Sequence, residues 1–284
     1  MVERQIDAQA FLDVAGSFLA EREAEHSLLF GIAANLITDP GRPMTARPYL
    51  AVARRDDAVV ATALMTPPFN VVMSWTADDD AVSAFAADLE RGRLQVPGIT
   101  APVDVARAFA DRWASRHGIT AQRTMAERIY RVEHVTAPRG VPGSIRIADH
   151  ADRDLLVEWV RDFLREALGR TDDNETLAIV DRALETGSRI FYLWEHDGRS
   201  VSVAGITGPT PNGIRLGPVY TPPPLRGRGF GSAVTAAASQ AQLDQGRRFV
   251  FLFTDLTNAT SNRIYQAIGY EPVIDVDQWS FDPA

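Results

Sequence analysis

The chain has 284 residues, 45% of them hydrophobic, with 29 basic against 37 acidic side chains and a formal charge of −8. This excludes wholesale disorder and suffices for one large or two ordinary domains; neither half is basic, so nonspecific nucleic-acid binding is not expected and cationic ligands are mildly favoured. No residue is cysteine or lysine, which removes disulfides, thiolate nucleophiles, Cys-ligated metal, a Schiff-base lysine and a Walker-type phosphate lysine.

Residues 1–7 hold no apolar run of the signal-peptide kind, and no stretch reaches the roughly 20 apolar residues that cross a bilayer. A cytoplasmic protein without membrane contact is expected. Tyr49-Leu-Ala-Val-Ala53 reads as a strand. Val71-Val-Met-Ser-Trp-Thr-Ala-Asp-Asp-Asp80 runs straight into a helix, and 103–116 is a later helix. Residues 136–144, with two prolines and two glycines, form a linker. Beyond it the pattern predicts a short strand at 144–148 and helices at 152–168 and 175–186. Strands at 190–195 and 201–207 follow, joined at His196-Asp197-Gly198, then a strand at 214–221. A helix over 231–245, a continuously apolar strand over 249–254 and a helix over 258–268 complete the order. Continuous apolarity places 249–254 in the middle of a sheet.

An offset of 142 residues lays Thr62–Asn70 over Ala204–Asn212, matching Pro67 with Pro209 and Asn70 with Asn212. It also lays the strand at Tyr49 over the one at Phe191. After any opening strand, each half reads helix, helix, three strands, helix, strand, helix, strand. The fold class is mixed α/β, duplicated.

The most informative segment is Gly217-Pro-Val-Tyr-Thr-Pro-Pro-Pro-Leu-Arg-Gly-Arg-Gly-Phe-Gly-Ser232. A strand enters a glycine-rich turn, and the turn opens a helix. Successive backbone N–H groups with a helix N-terminus behind them make an anion nest. Gly227, Gly229 and Gly231 let the backbone approach its ligand, while Arg226 and Arg228 suit phosphate oxygens. The Gly-x-Gly-x-Gly spacing is not the dinucleotide fingerprint, and Walker and kinase loops need lysine. Pro218 lacks a ladder donor and is tolerated where its strand bulges away from a neighbour, leaving backbone groups at Val219 and Thr221 for an extended ligand.

Arg226-Gly-Arg-Gly-Phe-Gly231 resembles the pyrophosphate loop, Arg/Gln-x-x-Gly-x-Gly/Ala, of the GNAT superfamily of N-acetyltransferases. Asn258, Ser261, Tyr265, Gly269 and Tyr270 are similar to a second motif of that superfamily. The resemblance implies two GNAT-like domains, each a central mixed, splayed sheet flanked by helices, with acetyl-CoA as co-substrate and an amine acceptor, small molecule or peptide. It implies that Arg226, Gly227, Arg228, Gly229, Phe230, Gly231 and Ser232 hold the pyrophosphate. Val219, Tyr220 and Thr221 would lie along the pantetheine, Asn262 would hydrogen-bond the cofactor, and Tyr265 would protonate the departing sulfur. A phenol of pKa about 10 suits a thiolate leaving group.

A carboxylate base is expected in the 214–221 strand, which instead offers Arg215; Glu195 and Asp255 are the nearest candidates by coarse topology. The five histidines lack metal-ligand spacing and read as surface or turn residues. Residues 1–135 are expected to form a degenerate GNAT-like domain without the loop, because Asp78, Asp79 and Asp80 occupy its place and would repel a pyrophosphate. Residues 145–284 are expected to be the catalytic domain. A non-catalytic acyl-CoA-binding sensor is the alternative, favoured by the missing base.

Overall fold

A computed structural model describes residues 1–39 and 44–282. Two compact units emerge. Unit 1 takes residues 1–129, 253–259 and 272 onward, and unit 2 takes 130–252 and 260–271.

Unit 1 begins with β1 (Val2–Arg4), α1 (Ala8–Ala20) and α2 (Ser27–Thr38), followed by β2 (Tyr49–Arg55), β3 (Ala58–Met65) and β4 (Val71–Met73). Then come α3 (Asp79–Arg91), β5 (Gly98–Pro102), α4 (Val103–His117) and β6 (Thr120–Val132). Local chemistry sets the helix starts: Asp7 accepts from Ala10 N at 2.8 Å and Asp78 from Ala81 N at 3.1 Å. Neighbouring strands β1 to β4 pair antiparallel, whereas β4 and β5 are parallel. Helices α1 and α2 bury Phe11, Leu19 and Leu29 on one face of this sheet. Helices α3 and α4 bury Phe85, Leu89 and Phe109 on the other. Coverage of both faces explains why β2 and β3 are almost continuously apolar.

Unit 2 repeats the order with β7 (Ser144–Ile147), α5 (Arg153–Leu168), α6 (Asp173–Thr186), β8 (Arg189–His196) and β9 (Arg199–Pro209). It continues with β10 (Gly213–Tyr220), α7 (Phe230–Asp244), β11 (Phe249–Asp255) and α8 (Ala259–Ala267). Strands β7 to β10 pair antiparallel, and β10 and β11 are parallel. Helices α5 and α6 cover one face around Leu156, Trp159 and Val180. Helices α7 and α8 cover the other around Val234, Ile268 and Tyr270. The fold is therefore mixed α/β with splayed sheets flanked by helices, and the elements expected from the sequence are present in order.

The division differs from the one expected at the 136–144 linker. The last strand, β12 (Glu271–Asp282), pairs antiparallel with β5, from Val276 opposite Pro102 to Ser280 opposite Gly98. Trp279 and Phe281 pack into the core around Phe109 and Trp113. Arg128 of β6 grips Asp275 with two hydrogen bonds of 2.6 and 2.9 Å. The end of β6 behaves reciprocally, since Tyr130 and Val132 are buried in the core of unit 2.

His26 also departs from expectation, being 1% exposed. Its Nδ1 lies 3.0 Å from Leu19 O, and its Nε2 accepts from Trp75 N at 3.2 Å. The ring is thus a neutral imidazole donating through Nδ1, and burial lowers its pKa to about 4.

Candidate functional site

The site forms where β10 leaves β11. Their pairing runs only from Gly213 opposite Phe249 to Arg215 opposite Phe251. On its other side, β10 shifts register against β9: Leu216 faces Ile206, yet Val219 faces Ala204. The bulge contains the cis Gly217–Pro218 peptide. A Cβ on Gly205 would stand 2.9 Å from Gly217 O and 3.0 Å from Pro218 Cδ, so the bulge requires glycine opposite it. The separation expected at Pro218 is present.

Beyond Tyr220 a short 3₁₀ turn, Pro223–Leu225, leads to Arg226 in extended conformation. Gly227 and Gly229 then adopt φ of +76° and +82°. Gly229 is the N-cap of α7, with no side-chain cap and no acid in the first helical turn. The leading amides of α7, at Phe230, Gly231 and Ser232, therefore have no partner within the helix and carry its positive end. A Cβ on Gly229 would lie 2.8 Å from Val141 Cγ2, so side chain and dihedral both demand glycine.

Arg226 is already oriented: Nε donates to Thr221 O at 2.8 Å and Nη2 to Glu166 Oε2 at 2.5 Å. The Thr221 carbonyl, expected to be available to a ligand, is thus taken by Arg226. The Arg228 guanidinium lies over the buried Phe230 ring, 4.8 Å from its centroid. The Tyr220 hydroxyl stands 3.2 Å from both Asp162 Oδ2 and Glu166 Oε1. Burial, with these two carboxylates, pushes its pKa up to about 12. Asp162 and Glu166 were not foreseen, because only packing of α5 against β10 brings them to the turn.

On α8, Tyr265 is buried and its hydroxyl shares a hydrogen bond with Ser261. Burial pushes its pKa up to about 12. Its ring centroid is 6.5 Å from that of Tyr130 and 5.9 Å from that of Tyr270. Asn262 Oδ1 accepts from the Tyr130 hydroxyl at 3.0 Å, and that hydroxyl accepts from Gln266 Nε2 at 3.1 Å. Tyr130 was missed: it is distant in sequence from α8, and its only local signal is a strand-like run.

Neither base candidate stands ready. Glu195 accepts from Arg146 Nε at 2.7 Å, and the same guanidinium binds both oxygens of Asp152 at 2.6 and 2.7 Å. Asp255 Oδ1 accepts from Thr257 N at 2.7 Å and Thr257 Oγ1 at 2.8 Å, which organises the turn before α8. Among the described residues no group of three or more His, Asp or Glu could hold a metal ion, and no helix is long and apolar enough to cross a membrane.

Residues 153–270, which contain the bulge, the glycine turn, Asn262 and Tyr265, match the sequence model of the Acetyltransferase (GNAT) family. They form a GNAT acetyltransferase domain. Acyl transfer is the chemistry of that family. The fold of the whole chain is similar to that of a Drosophila protein, at 15% identity over 99% of this chain and 98% of that one, with a TM-score of 0.70. It is similar to a GCN5-related N-acetyltransferase from Sphaerobacter thermophilus, at 16% identity over 100% and 96% with a TM-score of 0.61. A tandem GNAT protein from the clavulanic acid biosynthesis pathway also matches, at 15% identity over 100% and 98% with a TM-score of 0.59. At these identities the likeness concerns the fold, and that fold is the tandem one. No protein with a curated description matches the sequence. Every candidate cofactor residue lies within the stretch that the GNAT family model covers.

Proposed function

We propose that the GNAT domain moves the acetyl group of acetyl-CoA to a primary amine, on a small molecule or a peptide, by direct attack on the thioester. One observation carries this reading: β10 parts from β11 at a bulge and runs into a glycine turn at an uncapped helix N-terminus. A parted strand suits an extended amide chain, and bare amides suit a diphosphate.

The residues present fit that cofactor. Arg226 through Ser232 hold the diphosphate, with glycine at 229 set by its positive φ and by Val141 packed against it. Arg226 is held in place by Thr221 and Glu166, so it meets the ligand without the entropy of ordering a long side chain, and Glu166 balances part of its charge. Val219, Tyr220 and Thr221 flank the pantetheine. Asn262, oriented by Tyr130, hydrogen-bonds the cofactor. As the amine nitrogen bonds to the acyl carbon and the carbon–sulfur bond breaks, Tyr265 gives its proton to the sulfur. A phenol with a pKa of about 12 remains protonated at neutral pH and so can act as an acid.

The attacking amine must also lose a proton, and Glu195 and Asp255 are both engaged. This engagement favours a second reading, a non-catalytic acyl-CoA-binding module. Thiol release from acetyl-CoA, followed across monoamines, polyamines, aminoglycosides and peptide N-termini, separates the two. Turnover with one class supports the transferase. Tight coenzyme binding with no thiol released by any class supports the module.

A further inference from the structure

Unit 1 contains a forked strand pair of its own, and an open cleft lies at the fork. Parallel pairing of β4 with β5 covers Val71 opposite Ile99 and Val72 opposite Thr100, and then the strands diverge. Beyond that point lies a cleft of about 590 Å³, within the range of small-molecule sites. Trp75, Val82, Val105 and Ile274 give it an apolar lining. Its charged lining residues are all acidic: Asp79, Asp104 and Asp275, with no basic side chain among the lining groups.

The electrostatics are the reverse of those at the β10–β11 fork. Two helices begin at this cleft, α3 at Asp79 and α4 at Val103, and a helix N-terminus ordinarily favours anions. Here each first turn carries its own acid, Asp79 and Asp80 on α3 and Asp104 on α4. Asp78 additionally caps α3, so that positive end is already answered. Arginines sit behind the carboxylates rather than in the cleft: Arg112 is 3.4 Å from Asp79, Arg107 is 2.9 Å from Asp104, and Arg128 holds Asp275 bidentately. Asp79 and Asp104 remain largely solvent-facing, so each can accept a further hydrogen bond.

We propose that this cleft binds a small organic cation, an ammonium on an apolar body. The apolar body occupies the space beside Trp75, Val82 and Ile274, and the ammonium bonds Asp79 and Asp104. A diphosphate or a free carboxylate is rejected by the same two side chains. The site belongs to unit 1 alone and does not depend on acetyl transfer by unit 2.

The test is calorimetric titration of the full chain with phenethylammonium and, as a control of similar shape, phenylacetate. Saturable binding of phenethylammonium with a Kd below ~1 mM is expected, with phenylacetate at least tenfold weaker. The double substitution Asp79→Asn with Asp104→Asn should weaken phenethylammonium binding at least tenfold while leaving coenzyme A affinity unchanged. Ala77→Phe, which fills the cleft, should abolish it. No saturable binding, equal binding of phenylacetate, or undiminished affinity in both variants would overturn the proposal; the last result would move the ammonium to the GNAT domain. Coenzyme A affinity, measured on the same samples, reports on the other reading independently.

Discussion

Two forked strand pairs, β4–β5 and β10–β11, descend from one pattern and have opposite chemistry. In each, two parallel strands pair for two or three residues and then part. At the 142-residue offset Asp79 falls on Thr221, yet α7 begins only at Phe230. The second half therefore inserts nine residues, 221–229, the proline- and glycine-rich turn, between strand and helix. With it comes a helix that starts on glycine, without a side-chain cap or an acid. Without it, α3 starts on Asp78, Asp79 and Asp80. The same backbone fork thus presents amides and arginines in one copy and carboxylates in the other, through the inserted turn and the acids that open α3.

The sharpest way to break that contrast is to give the second fork the first one's chemistry. Gly229→Asp places a side chain at φ +82°, 2.8 Å from Val141, and a negative charge among the amides. Coenzyme A affinity measured by calorimetry is expected to fall more than roughly a thousandfold, from charge and strain together. Far-ultraviolet circular dichroism on the same sample establishes that the domain is folded, and retained affinity would sink the assignment of the turn.

Next in size is Tyr265→Phe. Loss of one general acid typically costs on the order of 10² to 10⁴ in rate, so kcat should fall a few-hundredfold with KM for acetyl-CoA nearly unchanged. Unchanged kcat would remove Tyr265 from the chemistry. The corresponding helix of the first half, α4, carries no tyrosine; its Trp113 stacks on Phe109 in the core.

Much of this was legible in the sequence, for local reasons. Periodicity set the helices, glycine and proline set the turns, and Pro218 announced the bulge, because each signal acts over a few residues. What escaped depends on partners distant in the chain. One partner of β12 is β5, more than 170 residues earlier, and a strand's own alternation does not name its neighbour. Tyr130 reaches Asn262 for the same reason. Asp162 and Glu166, one turn apart on α5, look like a solvated helix face until Tyr220 meets them. Position on β8 makes Glu195 a candidate base, and Arg146, on the neighbouring strand, claims it.

The forks are also secured differently, which gives a test through pH. Trp75, just after β4, hangs on the buried neutral imidazole of His26, whereas the end of β10 is tied by hydroxyls, Ser202 donating to Tyr220 O at 3.0 Å. The folded pKa of His26, about 4, lies below its ordinary 6.5. Its contribution is therefore fully present above pH 6.5 and drains away as pH falls toward 4, because the unfolded chain takes up the proton first. The loss across that window is about 3 kcal/mol. Urea unfolding at pH 7 and pH 4.5 should show this slope in the native protein and a shallower one in His26→Gln. Equal slopes would mean that the imidazole titrates normally.

The smallest effect expected is the most informative about the missing base. Glu195 and Arg146 are each about one-third exposed, and an exposed ion pair contributes roughly 1 kcal/mol or less. Arg146 keeps its bidentate bonds to Asp152 when Glu195 becomes neutral, so the strand pair β7–β8 loses one hydrogen-bond partner and little else. Glu195→Gln should leave acetyl-CoA turnover within about twofold and stability within about 1 kcal/mol. A carboxylate acting as the base would show otherwise, with a large fall in kcat concentrated on the acidic limb of the pH profile, where the amine most needs help to lose its proton. That outcome would require Arg146 to release Glu195 during the cycle, and it would make the edge of the sheet at β7 and β8, rather than the fork, the place where the acceptor is activated.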